Sequence, residues 1–293
     1  MAQVFVLVLT SVAMRWWLSI LCGLVSLVVG AVVYLAPWRG GYNAINAINR
    51  LYPRPFDMRQ SSMYETVDFP WAETFRSNAQ AIRRELATFE KMLQEGGRGL
   101  PLIHTFSQQE AKLNKDGAWK ALFVRVTGSD TPLAARHFSL TAGLLREAEG
   151  KGMKAWSCFF SVLEPDGKIP WHYGIFRGVL RYHLGVEVPE DSGARLTSTI
   201  IRGPNAAMVH NFSFGWRFAE DRLFDDTEAH MVQNKGSQRR IILVLDVPRF
   251  DLPWYMSLLN EVLLWWVSPN FPSAAAILKK SAQYANGLPT KSN

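Results

Sequence analysis

Cysteine is scarce in this chain, and several common functional motifs are missing from it. The 293 residues include two cysteines, Cys22 and Cys158. Because Cys22 lies in an apolar N-terminal stretch, the rest of the chain holds one thiol and has no internal disulfide. The sequence also lacks a Cys-x-x-Cys pair, a glycine-rich phosphate loop and an internal repeat. These absences argue against zinc-ribbon proteins, P-loop nucleotide-binding proteins and repeat proteins.

Charged residues are also few. They make up 19% of the chain against 48% hydrophobic residues, and the formal net charge is +7 at pH 7. The Lys and Arg residues are scattered and form no basic cluster interleaved with aromatic residues, so no nucleic-acid partner is expected. A moderate positive charge instead suits solubility and attraction to anionic lipid headgroups.

One stretch near the N-terminus has no charge at all. Residues 16–36 contain 21 consecutive uncharged residues, and about 20 apolar residues are needed to cross a bilayer as a helix. Trp16 and Trp38 flank the stretch as interfacial anchors would. We therefore predict a transmembrane anchor within residues 1–40 and the lipid bilayer as a partner. Basic residues accumulate after it, which predicts a single-pass membrane protein with its main domain in the cytosol, or alternatively in an endomembrane lumen.

The remaining chain is predicted to divide into three parts: a linker at residues 41–67, a globular domain at residues 68–252, and an aromatic-rich helix with a polar tail at residues 253–293. Helical spacing of apolar residues extends from Asp68 to the Gly96-Gly97 pair, and a second helix is expected at residues 132–149. Strand patterns are found at residues 118–126, 156–163, 179–188, 199–211 (a hairpin), 213–218 and 239–247.

The aromatic-rich stretch at residues 253–267 allows two interpretations. It is too short to cross a bilayer comfortably, and it carries Glu261. An amphipathic helix at the membrane interface and a buried core helix fit it equally well.

Two histidines have unusual surroundings. His172 lies in the segment WHYG and His230 in FDDTEAH, and an arginine follows each at short range, Arg181 nine residues later and Arg240 ten residues later. Two imidazoles can hold a transition metal, and a nearby guanidinium can hold a dicarboxylate. The pattern indicates an iron site with a 2-oxoglutarate pocket beside it.

Strand alternation constrains the basic residues further. Arg181 and His183 are two residues apart in LRYHLG, so both leave the same face of a strand. A buried cationic pair needs an anion, either a structural carboxylate or an organic acid, and on this strand alone the structural carboxylate is favoured. In RRIILVLDV, Arg239 and Arg240 leave opposite faces, and alternation does not settle which one points inward.

The segments WHYG, IFRGV, LRYHLGVEVP, GWRFAEDRLFDDTEAHMVQN and RRIILVLDVPR resemble the aspartyl/asparaginyl β-hydroxylase family over about residues 150–250. That family comprises Fe(II)- and 2-oxoglutarate-dependent dioxygenases on a double-stranded β-helix fold. The resemblance implies a mainly β, jelly-roll (cupin-like) domain with flanking helices. It also implies that Fe(II) is the cofactor, that 2-oxoglutarate is the cosubstrate and that molecular oxygen is consumed.

The resemblance also assigns roles to residues. It makes His172 and His230 the catalytic metal ligands. It places the remaining matched positions around the cosubstrate: Ser161 and Arg240 at the distal carboxylate, Arg181 and His183 near the proximal carboxylate and the iron. Gly174 departs from the usual pattern, because most oxygenases of this fold have an acid two residues after the first histidine.

Gly174 also bears on the substrate. The branch of the family that hydroxylates Asp and Asn side chains resembles this chain in having glycine there, so an Asp or Asn side chain of a polypeptide is the expected substrate. Two alternatives stay open: a lipid acyl chain, which the predicted anchor and aromatic helix favour, and a non-catalytic binding member of the fold, which the missing carboxylate favours.

Overall fold

A computed structural model of the chain describes the following residues: 23, 42–52, 63–103, 112–114, 116–189, 195–202, 208–270 and 274–286. The chain forms two compact units, residues 1–51 and 52–293. In the first unit, helix α1 spans Tyr42–Asn49, and its Ile45 and Ile48 are buried.

The second unit contains the remaining helices and all the described strands. The helices are α2 (Pro70–Ser77), α3 (Ala79–Glu95), α4 (Pro132–His137), α5 (Ser139–Gly150), α6 (Trp254–Asn270) and α7 (Ala274–Asn286). The strands are β1 (Met63–Tyr64), β2 (Trp119–Val126), β3 (Ser129–Asp130), β4 (Ser157–Leu163), β5 (Lys168–His172), β6 (Val179–Glu187), β7 (Arg195–Arg202), β8 (Met208–Gly215), β9 (Asp221–Phe224), β10 (His230–Gln233) and β11 (Arg240–Pro248).

These strands form two antiparallel sheets. The larger has the order β1-β9-β6-β11-β4-β2-β3, and the smaller has the order β5-β10-β7-β8. Apolar residues of both sheets share one buried cluster, in which Ile169 and Val232 of the small sheet meet Ile242 and Val244 of the large one. Two facing antiparallel sheets with helices outside make the mainly β, jelly-roll-like architecture that was expected.

The central strand β11 shows how the two faces of the large sheet differ. Ile241, Leu243 and Leu245 join the outer cluster with the apolar side chains of α2, α3 and α5. Ile242 and Val244 alternate with them and face the small sheet. Because side chains of a strand alternate between its faces, the single apolar run of β11 supplies residues to both buried clusters.

The predicted strands are largely confirmed, although the one at 213–218 is the end of β8, which stops at Gly215. Two of the three predicted helices are interrupted once, and the aromatic-rich one is continuous as α6. The segments at 118–126, 156–163, 179–188 and 239–247 form β2, β4, β6 and β11, and the hairpin is confirmed as β7 and β8. Asn78 separates α2 from α3. Phe138 separates α4 from α5, whose first backbone N–H groups, those of Leu140 and Thr141, donate to the buried carboxylate of Glu85.

The membrane part of the predicted fold class is wrong, and so is the single-pass membrane localisation. Among the residues that the structure describes, no helix has both the length and the apolarity that a bilayer crossing requires. The apolar helix α6 has 17 residues, short of the about 20 that span the hydrocarbon core. The predicted span at residues 16–36 lies outside the described residues, apart from Gly23.

Candidate active site

The two histidines lie side by side on neighbouring strands of the small sheet. His172 ends β5, His230 begins β10, and the two are direct partners in the antiparallel register. Their ring centroids are 4.1 Å apart. Residues that are 58 positions apart in the sequence therefore form one imidazole pair, because strand pairing brings them opposite each other.

Hydrogen bonds fix the orientation of both rings. The Nδ1 atoms of His172 and His230 lie 2.8 Å from the backbone oxygens of Pro170 and Glu228, respectively. A carbonyl can only accept, so each Nδ1 carries the proton and each Nε2 carries the lone pair. Burial lowers the pKa of His172 to about 4 and that of His230 to about 3. Both rings are thus neutral near pH 7, as metal ligands must be.

A carboxylate from elsewhere in the chain fills the space beside Gly174. A Cβ atom built on Gly174 would collide with the carboxylate of Asp226, and the Gly174 N–H donates to the Asp226 backbone oxygen at 2.7 Å. The described residues contain no group of three His, Cys, Asp or Glu side chains placed to hold one metal ion. The imidazole pair thus stands as a two-histidine donor set, which suits Fe(II) when other ligands complete the coordination.

Asp226 belongs to a buried chain of charges that includes Arg181. The Arg181 guanidinium lies between two carboxylates, with Nη1 2.6 Å from Oδ2 of Asp226 and Nε 2.9 Å from Oδ1 of Asp246. The Ser157 hydroxyl donates in turn to Asp246. Burial raises the pKa of Asp226 to about 7 although Arg181 opposes the shift. The charge of Arg181 is therefore matched by structural carboxylates, which was the favoured alternative for its strand.

Arg240, in contrast, is buried without a counter-ion among the described residues. Its side chain is 1% exposed, and Nε and Nη1 have no hydrogen-bond partner in the described part of the chain. Its guanidinium carbon lies 4.5 Å from the centre of the Trp216 ring, a cation–π contact. Burial lowers its pKa to about 9, so it stays protonated at pH 7. A buried, unpaired guanidinium is costly unless an anion binds it.

Arg239 points to the opposite side of β11. It forms two parallel hydrogen bonds with Glu90 of α3, at 2.7 and 2.8 Å, and its Nε donates to Glu187 at 3.0 Å. The question that alternation left open is thereby answered: Arg240 faces the interior between the sheets, and Arg239 faces the helical layer.

The other two predicted residues also lie on the inner face. Ser161 pairs with Ile242, two residues along β11 from Arg240, and its hydroxyl accepts from Trp119 Nε1 at 3.0 Å. His183 is 5% exposed, and burial lowers its pKa well below the usual value. The inner face of the large sheet thus brings together Ser161, His183 and Arg240.

A small pocket opens beside His172. One wall is polar and contains Gly174, Arg181, Asp226 and Asp246. The other lining residues are mostly apolar or aromatic: Leu113, Trp119, Trp156, Tyr173, Ile175, Phe176 and Val179. The pocket therefore has a polar wall whose charges are matched and an apolar wall of similar extent.

Sequence reasoning missed the positions of Asp226 and Asp246 at this pocket. Asp225, the neighbour of Asp226, shapes the turn after β9, because its carboxylate accepts from the backbone N–H and the hydroxyl of Thr227. Gly174 was the one feature of the sequence that could have indicated a group such as Asp226 at the pocket, because a glycine in place of an acid leaves room for another side chain.

Comparison with known proteins supports the same family. The profile of the family described as aspartyl/asparaginyl beta-hydroxylase matches residues 76–249. The chain is 29% identical over 184 residues to an ornithine lipid ester-linked acyl 2-hydroxylase from Rhizobium tropici, covering 63% of this chain and 59% of that protein. It is 25% identical over 157 residues to an aspartyl/asparaginyl beta-hydroxylase from Mus musculus, covering 53% of this chain and 19% of that protein.

Solved structures give distant likenesses of fold. A prolyl-4-hydroxylase from Pseudomonas putida matches with a TM-score of 0.40 and 16% identity, over 66% of this chain and 96% of that one. An oxidoreductase of the 2OG-Fe(II) oxygenase family from Burkholderia pseudomallei matches with a TM-score of 0.35 and 13% identity, over 45% of this chain and 68% of that one. Since the family profile spans more than half of its residues, this chain belongs to the aspartyl/asparaginyl beta-hydroxylase family.

Proposed function

We propose that this protein is an Fe(II)- and 2-oxoglutarate-dependent hydroxylase. The observation that carries the proposal is the pairing of two neutral imidazoles, His172 and His230, with Nε2 as the lone-pair atom of each ring. The uncompensated guanidinium of Arg240 adds a site for one carboxylate of a dicarboxylate. Family membership supports a hydroxylase, whereas the iron and the cosubstrate rest on these residues.

Each residue would have a distinct task. His172 and His230 would hold the metal, and the carbonyls of Pro170 and Glu228 would keep their rings oriented. Arg240 would bind the distal carboxylate through its planar fork. Bound Fe(II) and 2-oxoglutarate would supply oxygen activation: 2-oxoglutarate would lose carbon dioxide and become succinate with one oxygen atom of O2, and the other would enter the substrate C–H bond as a hydroxyl group.

Ser161 and His183 would complete the cosubstrate site. Ser161 lies on the same face as Arg240, and its hydroxyl hydrogen can turn toward a carboxylate while its oxygen accepts from Trp119. His183 is neutral and buried on that face. Arg181 would act through Asp226 and Asp246 instead, by holding the polar wall of the pocket in place.

The pocket lining favours a lipid acyl chain over an Asp or Asn side chain as the substrate. An acidic substrate needs a cation, but Arg181, the cation of the described lining, is already matched by two carboxylates. The aromatic and aliphatic walls suit a hydrocarbon chain. The Rhizobium tropici relative is named for hydroxylation of a lipid acyl chain, which supports this choice. The polypeptide substrate stays as the second candidate, because Gly174 matches that branch of the family.

Turnover of 2-oxoglutarate tests the reaction class. The purified full chain, given Fe(II), 2-oxoglutarate and oxygen, should produce succinate, and His172→Ala or His230→Ala should abolish that production. Succinate formation that persists in the double variant would remove both histidines from the mechanism. A wild-type chain that folds, binds neither Fe(II) nor 2-oxoglutarate and forms no succinate would support the non-catalytic alternative.

Substitutions of the neighbouring residues Arg240 and Arg239 provide a matched pair of variants that tests the cosubstrate site. Arg240→Met should weaken 2-oxoglutarate binding by roughly 30-fold or more, the usual effect of removing one partner of a buried charge pair. Arg239→Met should leave the binding unchanged, because that side chain faces α3. Calorimetric titration measures both, and equal losses in the two variants would contradict the assignment.

The substrate class needs a separate comparison. Extracted lipids and proteins from cells with and without the protein should be searched by mass spectrometry for a gain of one oxygen atom. A gain on lipid acyl chains supports the preferred substrate, and a gain on Asp or Asn residues supports the second candidate.

A further inference from the structure

Helix α6 exposes an apolar face to solvent. Trp254, Tyr255, Leu258, Val262 and Trp265 are 79%, 57%, 46%, 39% and 78% exposed, respectively. Positions 254, 258, 262 and 265 recur at helical spacing and thus share one side of the helix. We name these five residues the aromatic face of α6. Large apolar side chains grouped in one exposed patch usually mark an interaction surface.

The buried side of the same helix is largely apolar, with Met256, Leu263 and Leu264, and it also carries one amide, Asn260. Asn260 is 2% exposed, accepts a hydrogen bond from the Tyr52 hydroxyl at 2.6 Å and donates to the Gly178 backbone oxygen at 2.9 Å. The helix is therefore apolar on both sides, whereas a helix on the surface of a water-soluble domain normally has a polar outer side. The outward placement of the aromatic face is therefore fixed by specific polar contacts on the inward side.

We propose that the aromatic face of α6 rests on the surface of an anionic lipid bilayer without crossing it. Trp and Tyr residues lie near both ends of the face, and aliphatic residues lie between them. This order suits headgroup depth, where a ring can be half in hydrocarbon and half in water. From Trp254 to Trp265 the helix extends roughly 16 Å, long enough to lie in the interface.

Charge supports the choice of an anionic surface. Glu261 is the one charged residue of α6. It is exposed and lies on the side of the aromatic face, because it comes seven residues after Trp254 and four before Trp265. Helix α7, which packs against α6, adds exposed Lys279 and Lys280 and carries no acidic residue. The whole chain has a net charge of +7. The two lysines outnumber Glu261 and the chain is positive overall, a balance that favours anionic over neutral headgroups.

The helix is also joined to the wall of the candidate pocket. Gly178 lies so close to Asn260 of α6 and to Phe176 that a Cβ atom there would collide with both. Phe176 lines the pocket, as does Tyr173, which is 65% exposed. A bilayer held by α6 would thus lie near the residues that form the pocket, where acyl chains are available.

A nitroxide label reports contact with lipid at one chosen position. The full chain with Cys22→Ser keeps Cys158, which is completely buried, so a cysteine introduced at the surface is labelled selectively. Leu258→Cys probes the aromatic face. Lys91→Cys on α3 is the matched control, because the Lys91 side chain is 78% exposed. Vesicles of phosphatidylglycerol and phosphatidylcholine serve as the lipid surface.

With vesicles added, the label at position 258 should become protected from a water-soluble nickel relaxation reagent and more accessible to oxygen, while the label at position 91 should not change. Replacing Trp254 and Trp265 with serine should raise the lipid concentration needed for this protection roughly tenfold or more. Thermal unfolding of the same variant checks that the fold is kept.

Two results would overturn the proposal. One is a label at position 258 that stays accessible to the nickel reagent at saturating lipid. The other is a label already protected before lipid is added, which would mean that protein covers the face. Attachment through another part of the chain does not protect position 258. The test requires no turnover, so the His172→Ala variant should dock as the wild type does, and failure here leaves the proposed hydroxylase untouched.

Discussion

At the residue scale, the main feature is that Asp226 occupies the space beside Gly174. The sequence revealed that the usual acid was missing, because Gly174 stands two residues after His172. It could not reveal what fills the space, since Asp226 is distant along the chain and reaches the site through folding. The family resemblance pointed to His172, His230 and Arg240. Alternation alone did not settle whether Arg239 or Arg240 points inward, and the anion beside Arg181 was also left open.

Substitution of Gly174 tests this arrangement. Gly174→Ala should lower the free energy of unfolding by about 1–3 kcal/mol, the usual cost of overpacking a filled site, because the new methyl group meets the Asp226 carboxylate. Chemical denaturation measures the loss. Gly150→Ala is the matched control, since no atom lies within 4 Å of a Cβ built there.

A double substitution tests whether position 174 rejects a side chain because Asp226 fills the space or for another reason. Asp226→Ala empties the space and should allow Gly174→Ala at little further cost, so the two changes should not add. Strict additivity of the two losses would show that Gly174 and Asp226 do not compete for the same volume.

The histidine pair should also make stability depend on pH. The folded pKa values are about 4 for His172 and about 3 for His230, against about 6.5 in an unfolded chain. The unfolded state thus binds more protons as pH falls below about 6.5, and stability declines toward acid. Between pH 7.5 and pH 5.0 the pair should account for a loss on the order of 3–4 kcal/mol.

The matched variant is the double substitution His172→Gln and His230→Gln, measured by denaturant unfolding at both pH values. It should show a smaller loss than the wild type, and other titrating groups, Asp226 included, are common to both proteins. An identical loss in the two proteins would show that the imidazoles are not held neutral.

At the element scale, sequence patterns located the long strands but not the short ones that carry the site. Strands β5 and β10 have five and four residues, and neither shows the long apolar run, rich in β-branched residues, that identifies β11. Their pairing depends on the turn between β9 and β10, where Asp225 caps Thr227 and Arg249 binds Asp225 at 3.0 Å. Local patterns cannot predict such strands, because their partners supply the reason to form.

The buried ion pairs of Arg249 make this turn sensitive to substitution. Arg249 is fully buried and contacts both Asp225 and Asp251. Arg249→Met should cost about 3–5 kcal/mol, because it leaves two buried carboxylates without their cation. Urea denaturation provides the measurement.

Arg240→Met is the informative comparison, since it removes a buried cation that has no carboxylate partner among the described residues. It should be neutral or stabilising in the absence of ligand. Equal destabilisation by the two changes would mean that the surroundings of the two arginines do not differ as described.

At the scale of the whole molecule, the sequence correctly predicted the two-sheet architecture, whereas its prediction of a transmembrane helix was wrong. Alternation along β11 predicted two faces, and the structure assigns the outer one to the helices and the inner one to the site. The transmembrane prediction relied on the length of an uncharged run and on the tryptophans at its ends, and no described helix is long and apolar enough to cross a bilayer. Composition indicates which residues avoid water but not which surface covers them.

The separation of the two faces predicts that stability and ligand binding can be lost independently. Leu243 is completely buried in the outer cluster, so Leu243→Ala should cost about 2–5 kcal/mol. Its affinity for 2-oxoglutarate, measured well below the unfolding temperature, should stay within about twofold, because an outer-face change that does not reach the site adds independently. A large loss of affinity would show that the two layers are coupled through the sheet.

Because Arg239 and Arg240 are consecutive, the register of β11 against its neighbouring strands determines which arginine faces the site. Sliding the strand by a single position past β4 and β6 would exchange the two guanidiniums, sending the one bound by Glu90 inward and the other out toward the helices. Such a slip would keep every residue and still invert the site. Insertions and deletions within β11 should consequently be tolerated far less than exchanges of one apolar residue for another. The number of residues in the strand, more than their identity, determines which guanidinium faces the ligand site.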